Sequence, residues 1–213
     1  FIGLPCQVAG VLNFVKDSSN LYTVDLICHG TPSPKLLQLF FKEHQIDMDT
    51  IGMIKFREKN YFGLMVDGKL INPKDVQDFY SYAFLDQLIF TENCYECQFA
   101  SLKRVSDVTL GDSWSTELEN EKDKGVSLVL CQSEKGKWLL ENSNSILLDV
   151  DVEKAIYSNE QLKHPSRKTK ARYKFFKNIK RGFEYSIALA NPEIYFKKKV
   201  KIFFIRLGLL KNK

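Results

Sequence analysis

The sequence predicts an α/β fold: a mixed sheet with helices on both sides, an antiparallel insertion in the middle, and a basic helical C-terminal tail. Three observations carry this expectation. Near the N-terminus an apolar strand pattern runs twice into a turn and then into helical spacing, which favours parallel strands joined by crossover helices. Between residues 51 and 66 the texture changes to two strand-like runs, with Asp67-Gly68 as a turn signal after them. From Lys163 to Lys213 there are 16 Lys and Arg against 2 Asp and Glu, a net +14; residues 1–162 hold 15 basic and 24 acidic groups, −9, and the chain totals +5. The expected division is a domain over 1–162 and a basic helical tail over 163–213.

Taken in order, Phe1-Ile2 reads as the tail of a buried strand entering a Gly-x-Pro turn, so the chain is read as the C-terminal piece of a longer protein. Val8, Val11, Leu12 and Val15 then follow helical i, i+3, i+4, i+7 spacing. Leu21 to Ile27 is a strand ending in Cys28-His29-Gly30, and Pro32 and Pro34 introduce a helix with Leu36 to Phe41 as its body. Ile51 to Glu58 and Phe62 to Val66 are the strands of the insertion. Val76, Phe79, Tyr80, Ala83, Phe84 and Leu88 form a helical stripe leading to Cys94-Tyr95-Glu96-Cys97. Ser106 to Leu110 returns as a strand ending in Gly111-Asp112-Ser113-Trp114. A strand over Gly125 to Cys131, a helix over Glu134 to Glu141 and a last strand over Ile146 to Val150 complete the body. In the tail, Phe196, Val200, Phe203, Leu207 and Leu210 share a helical stripe opposite Lys197 and Lys201.

At 44% apolar content the 213-residue chain has material for a proper core. It has no apolar run long enough to span a membrane. Five cysteines, an odd number in a chain too large to need staples, argue against a disulfide framework and for a reducing cytoplasm. Cys131, inside an apolar strand, reads as a small core residue.

The other four cysteines sit in turns. Cys6 and Cys28 each follow a strand, and Cys94 and Cys97 form a C-x-x-C pair. Four loop thiols are the ligand count of a tetrahedral metal or of an iron–sulfur cluster, and turns at helix N-termini favour the thiolate. On these residues alone a cluster, a zinc site and unrelated thiols all stay open. The spacing is too dispersed for a ferredoxin run, so any common site must be assembled by the fold.

Four runs have a further meaning together: Phe1-x-Gly3-x-Pro5-Cys6-Gln7-Val8-Ala9-Gly10, Val24-Asp25-Leu26-Ile27-Cys28-His29-Gly30-x-Pro32-Ser33, Cys94-x-x-Cys97-x-Phe99-Ala100, and Asp107-x-Thr109-x-Gly111-Asp112-x-Trp114. Their order and spacing resemble the C-terminal domain of the coenzyme F-420 hydrogenase/dehydrogenase beta subunit, over roughly residues 1–175. Lys124-Gly125-Val126-Ser127, His164-Pro165-Ser166 and Arg172 resemble members found with bacterial surface-polysaccharide genes. The resemblance implies a flavoprotein carrying FAD and a 4Fe-4S cluster, with Cys6, Cys28, Cys94 and Cys97 as cluster ligands. It also implies an upstream ferredoxin-like module or a separate electron donor, and a deazaflavin (coenzyme F-420) or another organic acceptor.

A flavin needs close backbone, donors to its carbonyl edge and positive charge for its pyrophosphate. Gly3, Pro5 and Gln7 are candidates to present turn backbone and an amide. Lys55, Arg57 and Arg104, beside Lys103, are candidate charge partners, against the plainer reading of solvated charges. Asp107, Gly111 and Asp112 frame a strand end, or serve only as turn residues, and Trp114 is placed to stack or to pack. His29, next to a proposed ligand, is a candidate proton relay, against the plainer reading of a hydrogen-bonded turn histidine. No Ser-His-Asp order, paired-carboxylate motif or phosphate-binding loop stands out, which argues against a hydrolase. The basic tail suits an anionic membrane surface at the inner face or an acidic partner; no nucleic-acid reading motif accompanies its charge.

Overall fold

The computed structural model describes residues 1–58, 61–114, 117–118 and 125–210. Along the chain come β1 (Ile2–Gly3), α1 (Pro5–Phe14), β2 (Val24–Leu26), α2 (Pro34–Glu43), β3 (Ile54–Glu58), β4 (Tyr61–Val66) and β5 (Lys69–Leu70). These are followed by α3 (Phe79–Leu85), β6 (Val108–Asp112), β7 (Ser127–Cys131), α4 (Glu134–Glu141) and α5 (Val152–Tyr157). The chain ends in α6 (Lys170–Asn178), α7 (Phe183–Ala190) and α8 (Pro192–Arg206). The fold is mixed α/β, with one mixed and one antiparallel sheet.

The chain divides into two compact units, Phe1–His29 with Glu96–Ser166, and Gly30–Tyr95 with Arg167–Lys213. This differs from the expected division at residue 162. Net charge marks what a segment carries, whereas burial depends on where its apolar side chains find partners.

The first unit holds the sheet β1-β2-β6-β7, in which β1, β2 and β6 are parallel and β7 is antiparallel to β6. Pro5 opens α1 at its first position, where a missing N–H costs nothing, and Gln7 Oε1 accepts from Leu4 N at 2.8 Å to cap it. Asp107 pins the start of β6: its carboxylate accepts from Thr23 N and Thr23 Oγ1, both at 2.8 Å, and from Ser133 Oγ at 2.6 Å. Burial opposes its ionisation, but the hydrogen bonds outweigh that, and its pKa falls below the ordinary carboxylate value.

In the second unit β3, β4 and β5 form an antiparallel sheet. Asp67 and Gly68 turn between β4 and β5 with φ of 47° and 78°, a pairing for which Gly and Asp are the tolerant residues. Asp78 caps α3 by accepting from Ser81 N at 2.8 Å and also takes Leu64 N at 2.7 Å. The core gathers Phe40, Phe41, Phe79, Tyr80, Phe175 and Phe183. Two of these, Phe175 and Phe183, come from the region expected to be a tail. Their rings meet edge-on at 5.1 Å.

Several expectations are corrected. Residues 146–150 form no strand; Ile146 is 91% exposed, and Asp151 instead starts α5 by accepting from Lys154 N. Among the described residues β7 pairs with β6 alone and its other edge stays open, so apolar content by itself does not bring this run into the sheet. Cys131 is exposed rather than core, and β2 is shorter than the expected Leu21–Ile27 strand. Cys6 lies inside the first turn of α1 rather than before it, and β5 and α5 went unforeseen.

Candidate functional site

Because β1, β2 and β6 are parallel, their carboxyl ends open on one edge of the sheet, where parallel α/β folds place ligands. That edge receives Gly3 at the end of β1 with Pro5 and Cys6 just after it, Cys28 and His29 after β2, and Asp112 and Trp114 at the end of β6. Gly111 lies within β6, and a Cβ there would stand 2.4 Å from Ile27 Cδ1, so glycine lets the Ile27-Cys28 turn approach the strand. Segment 159–166 is tied to the same edge. Ser166 Oγ donates to His29 O at 3.0 Å, and Asn159 Nδ2 to Asp112 O at 3.4 Å. Gln161 Nε2 stands 2.7 Å from His29 Nδ1. This hydrogen bond holds the imidazole in place at the edge.

Cys97 is brought to this unit by a buried arginine. Arg104 donates from Nε to Asp25 Oδ2 at 3.2 Å, from Nη2 to Leu26 O at 2.7 Å and from Nη1 to Phe99 O at 2.5 Å. Both partners of the ion pair are almost fully buried. The guanidinium thereby joins the loop two residues past Cys97 to the strand end two residues before Cys28. It is spent on the fold, not offered to a pyrophosphate.

Cys94 belongs to the second unit, in a short 3-10 turn over Glu92–Glu96. Its Sγ accepts from Thr31 N at 3.4 Å and lies 3.3 Å from Thr91 Oγ1 and 3.6 Å from Thr31 Oγ1. Burial pushes the thiol pKa up, but these donors outweigh it and hold it below the ordinary value. Thr91 also lines a cavity of about 690 Å³, with apolar Leu36 and Phe90 in the wall and Lys35, Arg172 and Tyr173 around it. This volume lies within the range of small-molecule sites. Arg172 is fixed by Leu88 O at 2.7 Å and Glu92 Oε1 at 2.6 Å, and its guanidinium lies over the rings of Tyr95 and Phe176. Lys168 and Arg172 together hold the Glu92 carboxyl at about 2.

Other expected residues are engaged elsewhere. Asp107 sits at the opposite end of β6 and its oxygens are taken up by Thr23 and Ser133. The Gln7 Oε1 is engaged in capping. Lys55 and Arg57 are on β3 of the second unit, where Lys55 pairs with Glu58 at 2.7 Å and Arg57 lies over the Phe62 ring at 4.7 Å. Lys124 lies outside the described residues.

Thr31, Thr91 and Gln161 went unnoticed in the sequence. A hydroxyl three residues before Cys94 and another three after Cys28 was the available signal. Among the described residues no three His, Cys, Asp or Glu side chains are gathered as around a single metal ion. Tetrahedral zinc would need its sulfurs within roughly 4 Å of one another, whereas a multi-iron cluster spaces its ligands more widely. Thiols, one of them held toward thiolate, are donors that both zinc and iron–sulfur sites use.

The family described as the C terminus of the coenzyme F420 hydrogenase/dehydrogenase beta subunit matches residues 1–151, and the chain belongs to it. No curated protein matches the chain.

Proposed function

We propose, from the chain's membership of this family of hydrogenases and dehydrogenases, that it is the electron-handling part of an iron–sulfur flavoprotein oxidoreductase acting on an organic acceptor. The observation that carries this reading is Thr91, whose hydroxyl meets Cys94 Sγ while the residue itself lines the cavity. Thr91 thus stands between the Cys94 thiol and a cavity that would seat an organic molecule.

Cys6, Cys28, Cys94 and Cys97 would hold the 4Fe-4S cluster, and the cavity would seat the FAD ring or the acceptor. When bound, these groups supply the exchange between one-electron and two-electron chemistry. The chain's own residues bind and position. Thr31 and Thr91 favour the charged form of Cys94, and Arg104 holds the Cys97 loop to the strand end that delivers Cys28. Leu36 and Phe90 keep water from the cavity wall, while Lys35 suits an acidic group on the occupant. His29, held by Gln161 at the strand-end edge, would relay a proton to an acceptor there. A deazaflavin such as coenzyme F-420 is one acceptor of this description, and a nucleotide- or lipid-linked sugar is another. Electrons would enter from an upstream ferredoxin-like module or a separate donor protein.

Anaerobic purification of the full-length protein, with its visible spectrum and its iron, sulfide, zinc and flavin contents, tests this. About four iron and four sulfide per chain with FAD are expected. Cys94→Ser should lower iron, and Lys35→Glu should weaken acceptor turnover with iron unchanged. Zinc without flavin would overturn the reading and leave a non-catalytic interaction module.

A further inference from the structure

We propose that the outward face of α8 docks on an anionic phospholipid surface, with the helix axis in the plane of the membrane. Nothing in this inference depends on the redox reading.

Phe196, Val200, Phe203 and Leu207 recur at i, i+4, i+7 and i+11 and so share one helix face. On the folded molecule that face is open: Phe196 is 63% exposed, Phe203 59% and Leu207 56%. One side and the back of the helix are bolted down. Ile202 is buried, Tyr195 stacks on Phe79 with ring centroids 5.2 Å apart, and Lys198 Nζ donates to Gln77 O at 2.8 Å. Lys199 closes the anchor with Glu184 at 2.5 Å. Turning the apolar stripe inward would break all of these contacts, so the stripe stays outside while its helix stays attached.

The charges around the stripe identify its occupant. At about 100° per residue, Lys197 and Arg206 lie roughly 90° to either side of it. Residues 192–210 contain five Lys and Arg, of which Lys198, Lys199 and Lys201 bond within the unit, and one acidic residue, Glu193. An apolar strip with cations on both flanks suits lipid tails below and phosphate headgroups beside them, with the long stems of Lys197 and Arg206 reaching the headgroups. A second copy is a poorer fit, because isologous pairing would bring these cations toward their own counterparts. At 15 residues the helix spans about 22 Å, and no described helix is long and apolar enough to cross a membrane.

The test is co-sedimentation of the full-length protein with vesicles of phosphatidylcholine alone or mixed with phosphatidylglycerol. Binding is expected only with the anionic mixture, and it should weaken on raising the salt. Phe196→Glu with Phe203→Glu should reduce it by about tenfold or more. Lys197→Glu with Arg206→Glu should remove the preference for anionic lipid. Ile146→Glu, an exposed apolar residue of the other unit, should change nothing. All substituted side chains are solvent-facing, and circular dichroism checks that the fold is retained. The proposal is overturned by failure of the unaltered protein to sediment, by full binding of the Phe196/Phe203 variant, or by stripe-dependent self-association in place of vesicle binding.

Discussion

The two units are stabilised internally by different physics. In the first, the fully buried positions include Asp25, Thr23, Thr109 and Asp107, beside an apolar set of modest size such as Val8, Val108, Leu128 and Leu162. Directional bonds do the fastening: Arg104 to Asp25, Leu26 and Phe99, and Asp107 to Thr23 and Ser133. The second unit is fastened by rings, with Phe40 against Phe183 at 5.3 Å and Phe175 against Phe183 at 5.1 Å. Directional bonds fix a turn in place, which suits the strand ends that carry Cys6, Cys28 and His29. Ring packing is tolerant of direction but needs volume, and it supports both a cavity wall and a platform for α8.

The contrast is sharpest for nominally conservative changes. Arg104→Ala should cost about 3–5 kcal/mol by leaving Asp25 buried and uncompensated. Arg104→Lys should recover little of this, since an ammonium cannot reproduce three forked donations. Phe183→Ala should cost a comparable 3–5 kcal/mol or so, yet Phe183→Leu should cost under about 1.5 kcal/mol. Urea melting of the four variants decides the matter, and a lysine that restores near-parental stability would erase the distinction.

A smaller effect is expected at the other pin. Asp107→Asn should cost about 1–3 kcal/mol by weakening the bonds to Thr23 and Ser133. Because the folded carboxyl titrates below its ordinary 3.8, its contribution is present above that pH and is lost as the pH falls through the folded value. The variant should therefore show a shallower acid limb in denaturation between pH 5 and about pH 2. Equal limbs would show that the carboxylate is not the group that pins β6.

The smallest effect belongs to the second unit. Burial pushes the Lys198 ammonium down to about 8. Between about pH 8 and the ordinary 10.5 the unfolded chain binds the proton and the folded one does not, so stability should rise with pH in that window. Lys198→Met should flatten this rise in thermal melts, and an unchanged slope would place the ammonium in solvent.

Local pattern carried the sequence reading far in places. The helix over Glu134–Glu141 is found at the expected bounds, started by Ser133 accepting from Gly136 N. The strand–turn–helix rhythm placed Cys6 and Cys28 after parallel strands, as β1 and β2 have it. The same pattern misleads at 146–150, where apolar content suggests a strand but the run joins no sheet, although β7 has an open edge. Asp107 and Arg104 have partners within the fold, which the sequence does not reveal, because a charged residue alone does not show whether its partner is solvent, a ligand or the fold.

The sequence by itself determined the motifs that mark the family, the strand ends that precede Cys6 and Cys28, and the apolar stripe of α8, because each depends on residues within a few positions of one another. Only the tertiary structure decided which face of α8 is covered, that Phe175 and Phe183 complete a core, and that Thr31 joins Thr91 on Cys94. It likewise decided that Arg104 is spent on Asp25, 79 residues away. Periodicity and turn chemistry act over one or two turns of chain, whereas burial and pairing depend on which distant segments the closed fold brings together.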